Sequence, residues 1–151
     1  MKNIMIVLMA LLSTQIDAQK GKIVKTDAQW KKELAPEVYQ SLRKKATEAP
    51  NKGKYTDNFE KGIYVCAGCR NPVFDSQYKF HSGTGWPAFD RSIKGKVLLI
   101  PDHSMGTERT EVVCKKCGGH LGHRFDDGPL DSTGKRFCIN SIALKFIPQK
   151  R

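Results

Sequence analysis

Five cysteines carry most of the chemical information in this chain. Four of them form two short pairs, Cys66-Ala67-Gly68-Cys69 and Cys114-Lys115-Lys116-Cys117. A C-x-x-C turn puts two thiolates on one side of a tight loop, and two such loops brought together supply four sulfurs about 2.3 Å from one Zn2+. A closed four-sulfur site keeps no open coordination position, so the expected zinc is structural, one ion per chain, fastening two distant loops. Two disulfides are the competing assignment, because oxidising compartments favour the pairing of thiols. A thioredoxin-like redox centre is a third, but neither pair sits in a visible βαβ context.

The fifth cysteine, Cys138, stands alone in Lys135-Arg136-Phe137-Cys138-Ile139-Asn140-Ser141. A free thiol becomes a nucleophile when ionised, and neighbouring cations or hydrogen-bond donors favour the thiolate. Arg136, Asn140 and the histidines of Gly119-His120-Leu121-Gly122-His123 are candidates for that task. The alternative is an inert core cysteine, since Cys is among the most buried residue types.

These residues need elements to hold them. Thr26 and Asp27 are helix-cap residues ahead of Trp30-Lys31-Lys32-Glu33-Leu34, and Pro36 opens a second segment with Val38, Tyr39 and Leu42 at helical spacing, so two short helices are expected. From Gly62 the pattern changes to short β-like runs at residues 63–65, 96–100, 110–113 and 141–147, separated by Gly, Pro, Asp and Ser. An antiparallel sheet domain follows, with no repeat beyond the two Cys pairs and no linker that divides the chain. Residues 1–18 are set aside as a signal peptide, because Lys2 precedes an apolar run from Ile4 to Leu12 and Ile16-Asp17-Ala18 offers a cleavage site. That run is too short to span a bilayer, so an exported protein without stable membrane insertion is expected, periplasmic or secreted. The formal net charge of +11 raises the question of nucleic acid, but the basic residues lie in small groups over the whole chain, which argues against such a partner.

Tyr64-Val65-Cys66-Ala67-Gly68-Cys69, His81-Ser82-Gly83-Thr84-Gly85-Trp86-Pro87-Ala88-Phe89, His120-Leu121-Gly122-His123-Arg124-Phe125 and Arg136-Phe137-Cys138-Ile139-Asn140-Ser141 occur in one order. In these segments, and in Thr47-Glu48-Ala49-Pro50, the chain resembles the methionine-R-sulfoxide reductases of the B type from about Trp30 to Phe146. The resemblance implies a mainly β fold of two antiparallel sheets with short N-terminal helices and a structural zinc knuckle pair away from the active site. One catalytic domain, residues 19–151 with a core of about 30–147, is expected.

The resemblance also implies the chemistry. The Cys138 thiolate attacks the sulfoxide sulfur, methionine leaves, and sulfenic acid remains on the cysteine. His123 occupies the position of the general acid, with His120 and Asn140 orienting groups around the sulfoxide. Trp86 matches the aromatic wall that receives the S-methyl group, and Phe137 and Arg136 are further candidate substrate contacts. Many relatives carry a second redox cysteine just before Gly-Trp-Pro, whereas this chain has Thr84 there. The expected partners are therefore oxidised proteins bearing methionine-R-sulfoxide and an external reductant, a thioredoxin-like protein or small thiol, acting on a monomer. Two other readings remain: a zinc-ribbon module holding nucleic acid, and a disulfide-stapled exported interaction domain.

Overall fold

A computed structural model of the chain describes residues 21–150, and the expected signal peptide lies outside them. Helix α1, Asp27–Glu33, opens on a capping box in which the Thr26 hydroxyl accepts from the Gln29 amide while the Gln29 side chain accepts from the Thr26 amide. Leu34 and Ala35 are extended, as the residue ahead of a proline prefers, and Pro36 starts α2, Pro36–Lys44. Lys45 adopts a left-handed conformation, φ 59°, and stops that helix. Trp30, Tyr39 and Leu42 are buried against the sheets.

The strands are β1 (Gly62–Cys66), β2 (Pro72–Asp75), β3 (Lys79–Phe80), β4 (Ala88–Phe89), β5 (Val97–Asp102), β6 (Arg109–Cys114), β7 (His120–Phe125), β8 (Arg136–Ile139) and β9 (Leu144–Pro148). They form an antiparallel sheet in the order β2-β1-β9 and a second in the order β3-β4-β8-β7-β6-β5. The expected mainly β architecture of two antiparallel sheets with two short helices is what the chain adopts. Tyr64 and Phe74 of the small sheet meet Phe89 and Phe137 of the large one, with Phe74 stacked on Phe89 at 4.5 Å and Tyr64 edge-on to Phe89 at 5.1 Å. Val112, Leu121 and Ile139 join this core, burying the inner face of the large sheet.

Alternation then decides what the outer face carries. Phe137 and Ile139 are buried in the core, so Arg136 and Cys138 point the other way. The register places Ile100, Glu111, His123, Cys138 and Ala88 in one row across β5, β6, β7, β8 and β4. A Cβ on Gly122 would lie 2.1 Å from the Cys138 carbonyl oxygen, so only glycine lets β7 approach β8 at this point.

The run at 141–147 departs from the expected strand. It begins as a single 3-10 turn, Ser141–Ala143, because the Glu48 carboxylate accepts from the amides of Ser141 and Ile142 and draws them out of a ladder. Only Leu144 and its successors pair with β1.

Candidate functional site

The two Cys pairs fold into matching knuckles. In each, the first amide after the pair's closing residue is turned back: the Arg70 amide donates to the Cys66 carbonyl and the Gly118 amide to the Cys114 carbonyl, while the Cys66 and Cys114 amides donate to the carbonyls of Asn71 and Gly119. Arg70 (φ 63°) and Gly118 (φ 69°) hold the left-handed conformation that closes each turn. The four sulfurs lie within 4.8 Å of one another, with Cys66 to Cys117 at 3.7 Å and Cys69 to Cys114 at 3.5 Å. A tetrahedron with metal–sulfur bonds of about 2.3 Å has edges of about 3.8 Å, so the set is sized for one ion. The four thiols are free, and the Asn71 amide donates to the Cys114 sulfur at 3.4 Å, an outer hydrogen bond of the kind that orients a ligand. One knuckle ends β1 and the other ends β6, so an ion bound here would fasten the small sheet to the large one.

β6 runs from the knuckle at Cys114 to Arg109, about 17 Å for a six-residue strand, and a cleft opens at that far end. It has a volume of about 190 Å3 and is lined by Trp86, Arg109, His123, Phe125, Cys138 and Asn140 among others. Cys138 and His123 face one another across the β7–β8 pair. Burial pushes the Cys138 thiol up, against the pull of the Arg136 charge and of the nearby Thr84 hydroxyl. The depression expected from neighbouring cations is therefore outweighed in the ligand-free site. In the metal-loaded protein, iodoacetamide capture of Cys138 should accelerate with pH through a midpoint above the ordinary thiol range. Arg136→Ala removes the main opposing charge, so its midpoint should move higher and its labelling near neutral pH should slow; an unshifted midpoint in the Cys138 peptide would detach Arg136 from the thiol.

The histidines differ in setting. His123 donates from Nε2 to Asp102 Oδ2 at 2.7 Å, and Arg109 donates to the same oxygen at 2.8 Å. Hydrogen bonds from Ser104, then from His123, hold the Asp102 carboxyl well below the usual carboxylate range. This fixes the ring and leaves Nδ1 as its other nitrogen. His120 lies deeper, 2% exposed, with Nδ1 donating to Glu111 Oε1 at 2.7 Å and its ring edge-on to His123 at 5.3 Å. Burial lowers its pKa. Burial also opposes the Glu111 charge, but hydrogen bonds from Lys45 and His120 outweigh it and keep that carboxyl ionised.

The structure brings Cys138, His123, Trp86 and Asn140 together and leaves three candidates elsewhere. Phe137 faces the core against Phe74, on the opposite side of β8 from Cys138. Arg136 is held bidentately by Asp127 at 2.8 and 2.9 Å and lies over the Phe125 ring, so it reaches the thiol as a charge. His120 stands behind His123 rather than on the cleft wall. The Asn140 amide is engaged at both ends by main chain, accepting from the Glu48 amide at 3.2 Å and donating to the Leu121 carbonyl at 3.3 Å.

Several residues were not foreseen. Phe125, two positions after His123 on the same strand face, lines the cleft where Phe137 does not, and period-two alternation along β7 is the signal that finds it. Glu48 organises the opposite wall: its carbonyl accepts from Trp86 Nε1 at 3.0 Å, its amide reaches Asn140, and its carboxylate caps the 3-10 turn. Gly85 (φ 93°) lets this wall close, since a Cβ there would stand 2.7 Å from Pro50. Asp102, Arg109 and Glu111 came with no local signal.

A half-buried thiol facing a carboxylate-held histidine, on a sheet stapled by a four-cysteine cluster, defines a thiol-based redox enzyme class. The SelR domain matches residues 34–148, and the chain belongs to that family. It is 51% identical over 129 residues to a peptide methionine sulfoxide reductase MsrB of Bradyrhizobium diazoefficiens, covering 85% of this chain and 92% of that protein. It is 50% identical over 139 residues to the mitochondrial methionine-R-sulfoxide reductase B2 of Rattus norvegicus, covering 87% and 79%, and 52% identical over 126 residues to the MsrB of Leptospira interrogans, covering 83% and 95%.

Proposed function

We propose that this protein is a peptide-methionine (R)-S-oxide reductase that repairs oxidised proteins, with Cys138 as nucleophile. The observation that carries the reading is the pairing of Cys138 with His123 across β7 and β8 at the mouth of the Trp86-walled cleft. The sulfoxide S-methyl group rests on Trp86 and Phe125 while the oxygen turns to His123. The thiolate attacks sulfur, a proton delivered from His123 Nδ1 neutralises the departing oxygen charge, and methionine leaves with Cys138 as sulfenic acid. Asp102 acts as a positioning residue, fixing the direction of the ring. Asn140 and Glu48 brace the cleft, and the Glu111–His120 pair supports His123 from behind.

The four-cysteine cluster holds one structural Zn2+, which fastens the sheets and takes no part in the reaction. Since Thr84 stands beside Cys138 and the other four thiols belong to the metal, an external dithiol protein or small thiol reduces the sulfenic acid. The protein acts as a monomer, exported on residues 1–18, outside the cytoplasm. No helix among the described residues is long and apolar enough to cross a membrane. Nucleic acid is not a partner on this reading.

The test is turnover of separate R- and S-sulfoxide substrates: the R form should be reduced and the S form left, and reduction of both or neither would overturn the assignment. Without added reductant, one equivalent of R-sulfoxide should consume one thiol and leave the metal bound; loss of two thiols with metal release would make a knuckle cysteine the resolving residue. His123→Ala should lower kcat by about 10²–10⁴-fold with a smaller change in KM, because proton donation matters in the transition state. An unchanged kcat would remove His123 from proton transfer.

A further inference from the structure

Four methionines occur in the chain, at positions 1, 5, 9 and 105, so Met105 is the only one in the described structure. It is 69% exposed, in the turn of the β5–β6 hairpin where every residue from His103 to Glu108 is exposed and Gly106 holds φ 73°. Both ends of that turn belong to the cleft: Asp102 holds His123, and Arg109 lines the wall. An exposed thioether at a protruding turn meets dissolved peroxide without any opening of the fold.

We propose that Met105 is an oxidation site of this enzyme and that its R-sulfoxide is a substrate for the Cys138 of a second copy. The inference rests on the function proposed above. Peroxide transfers one oxygen to the Met105 sulfur and leaves as water. The Cys138 thiol of the second copy then takes that oxygen, becoming sulfenic acid as Met105 returns to thioether, and two equivalents of external thiol restore the cysteine with release of water and a disulfide. Within one molecule β5 and β8 are three strand positions apart, about 14 Å, and the turn is anchored at both ends by Asp102 and Arg109, so Met105 meets its own Cys138 only if the hairpin bends back. Repair between copies asks only that a narrow, fully exposed turn enter an open cleft.

The experiment uses metal-loaded Cys138→Ser protein, oxidised by brief peroxide treatment, as the carrier, with wild-type protein whose Cys138 is alkylated as a second carrier. Catalytic wild type and dithiothreitol are added, free methionine-R-sulfoxide serves as a parallel substrate, and the Met105 peptide is followed by mass spectrometry. The expected result is a gain of one oxygen on Met105, absent in a Met105→Leu carrier, and clearance of about half of it by wild type, the remainder being the S epimer. Carrier incubated with dithiothreitol alone should keep all of it. Reduction of free methionine-R-sulfoxide with the Met105 oxygen untouched in both carriers would overturn the proposal while leaving the function standing. Failure on both substrates would overturn the function and this proposal with it.

Discussion

Cys138→Ser is expected to abolish reduction of methionine-R-sulfoxide, by about 10⁴-fold or more, without loss of the fold or of bound metal. A hydroxyl at this position is not ionised near neutral pH and cannot carry the oxygen away as a sulfenic acid, so the reaction loses its nucleophile and its intermediate together. The fold should survive because Cys138 contributes to β8 through its main chain, while the buried side chains that anchor that strand are Phe137 and Ile139. The metal should survive because Cys138 is not one of the four clustered sulfurs. Turnover with R-sulfoxide, metal content and thermal melting measured on one preparation check all three statements. Residual turnover above about a hundredth of wild type would show that another group attacks the sulfoxide.

How far the sequence could be read depended on how local each feature was. The Thr26–Gln29 capping box and Pro36 start were legible because their partners lie within one turn. The C-x-x-C knuckles were legible for the same reason, and their joining into one cluster followed from the need of each half-site for the other. β7 and β8 carry His123 and Cys138 but were not read as strands, since glycine and histidine in one and a four-residue length in the other mask the alternation. Without the register, the sequence reading puts Phe137 on the substrate side and passes over Phe125. Once Cys138 is known to face outward, Phe137 must face inward, and Phe125 follows from His123 by two. The carboxylates Asp102 and Glu111 were illegible, because each meets its histidine through a strand pairing that no spacing encodes.

Cys114→Ser is expected to lose the bound metal and to lower the melting temperature by at least about 10 °C, together with activity, although the cleft lies at the far end of β6. Structural zinc binding is itself folding free energy, and removal of about 3 kcal/mol from a chain of this size shifts melting by roughly that amount. Cys114 is fully buried, accepts a hydrogen bond from Asn71, and sits where β6 turns into the knuckle that leads to His120. With the ion gone, three thiols face one another in the cluster with no charge to hold them, and the tie between β1 and β6 opens. His120 begins β7 three residues after Cys117, so loosening of the knuckle reaches Glu111, His120 and then His123, the proposed acid, through the contacts that hold its ring. Elemental analysis, thermal melting and R-sulfoxide turnover of the variant and of chelator-treated wild type check the argument. Two disulfides in place of the metal would instead give a metal-free wild type with no free thiols in the cluster, indifferent to chelator, and that result would remove zinc from the fold.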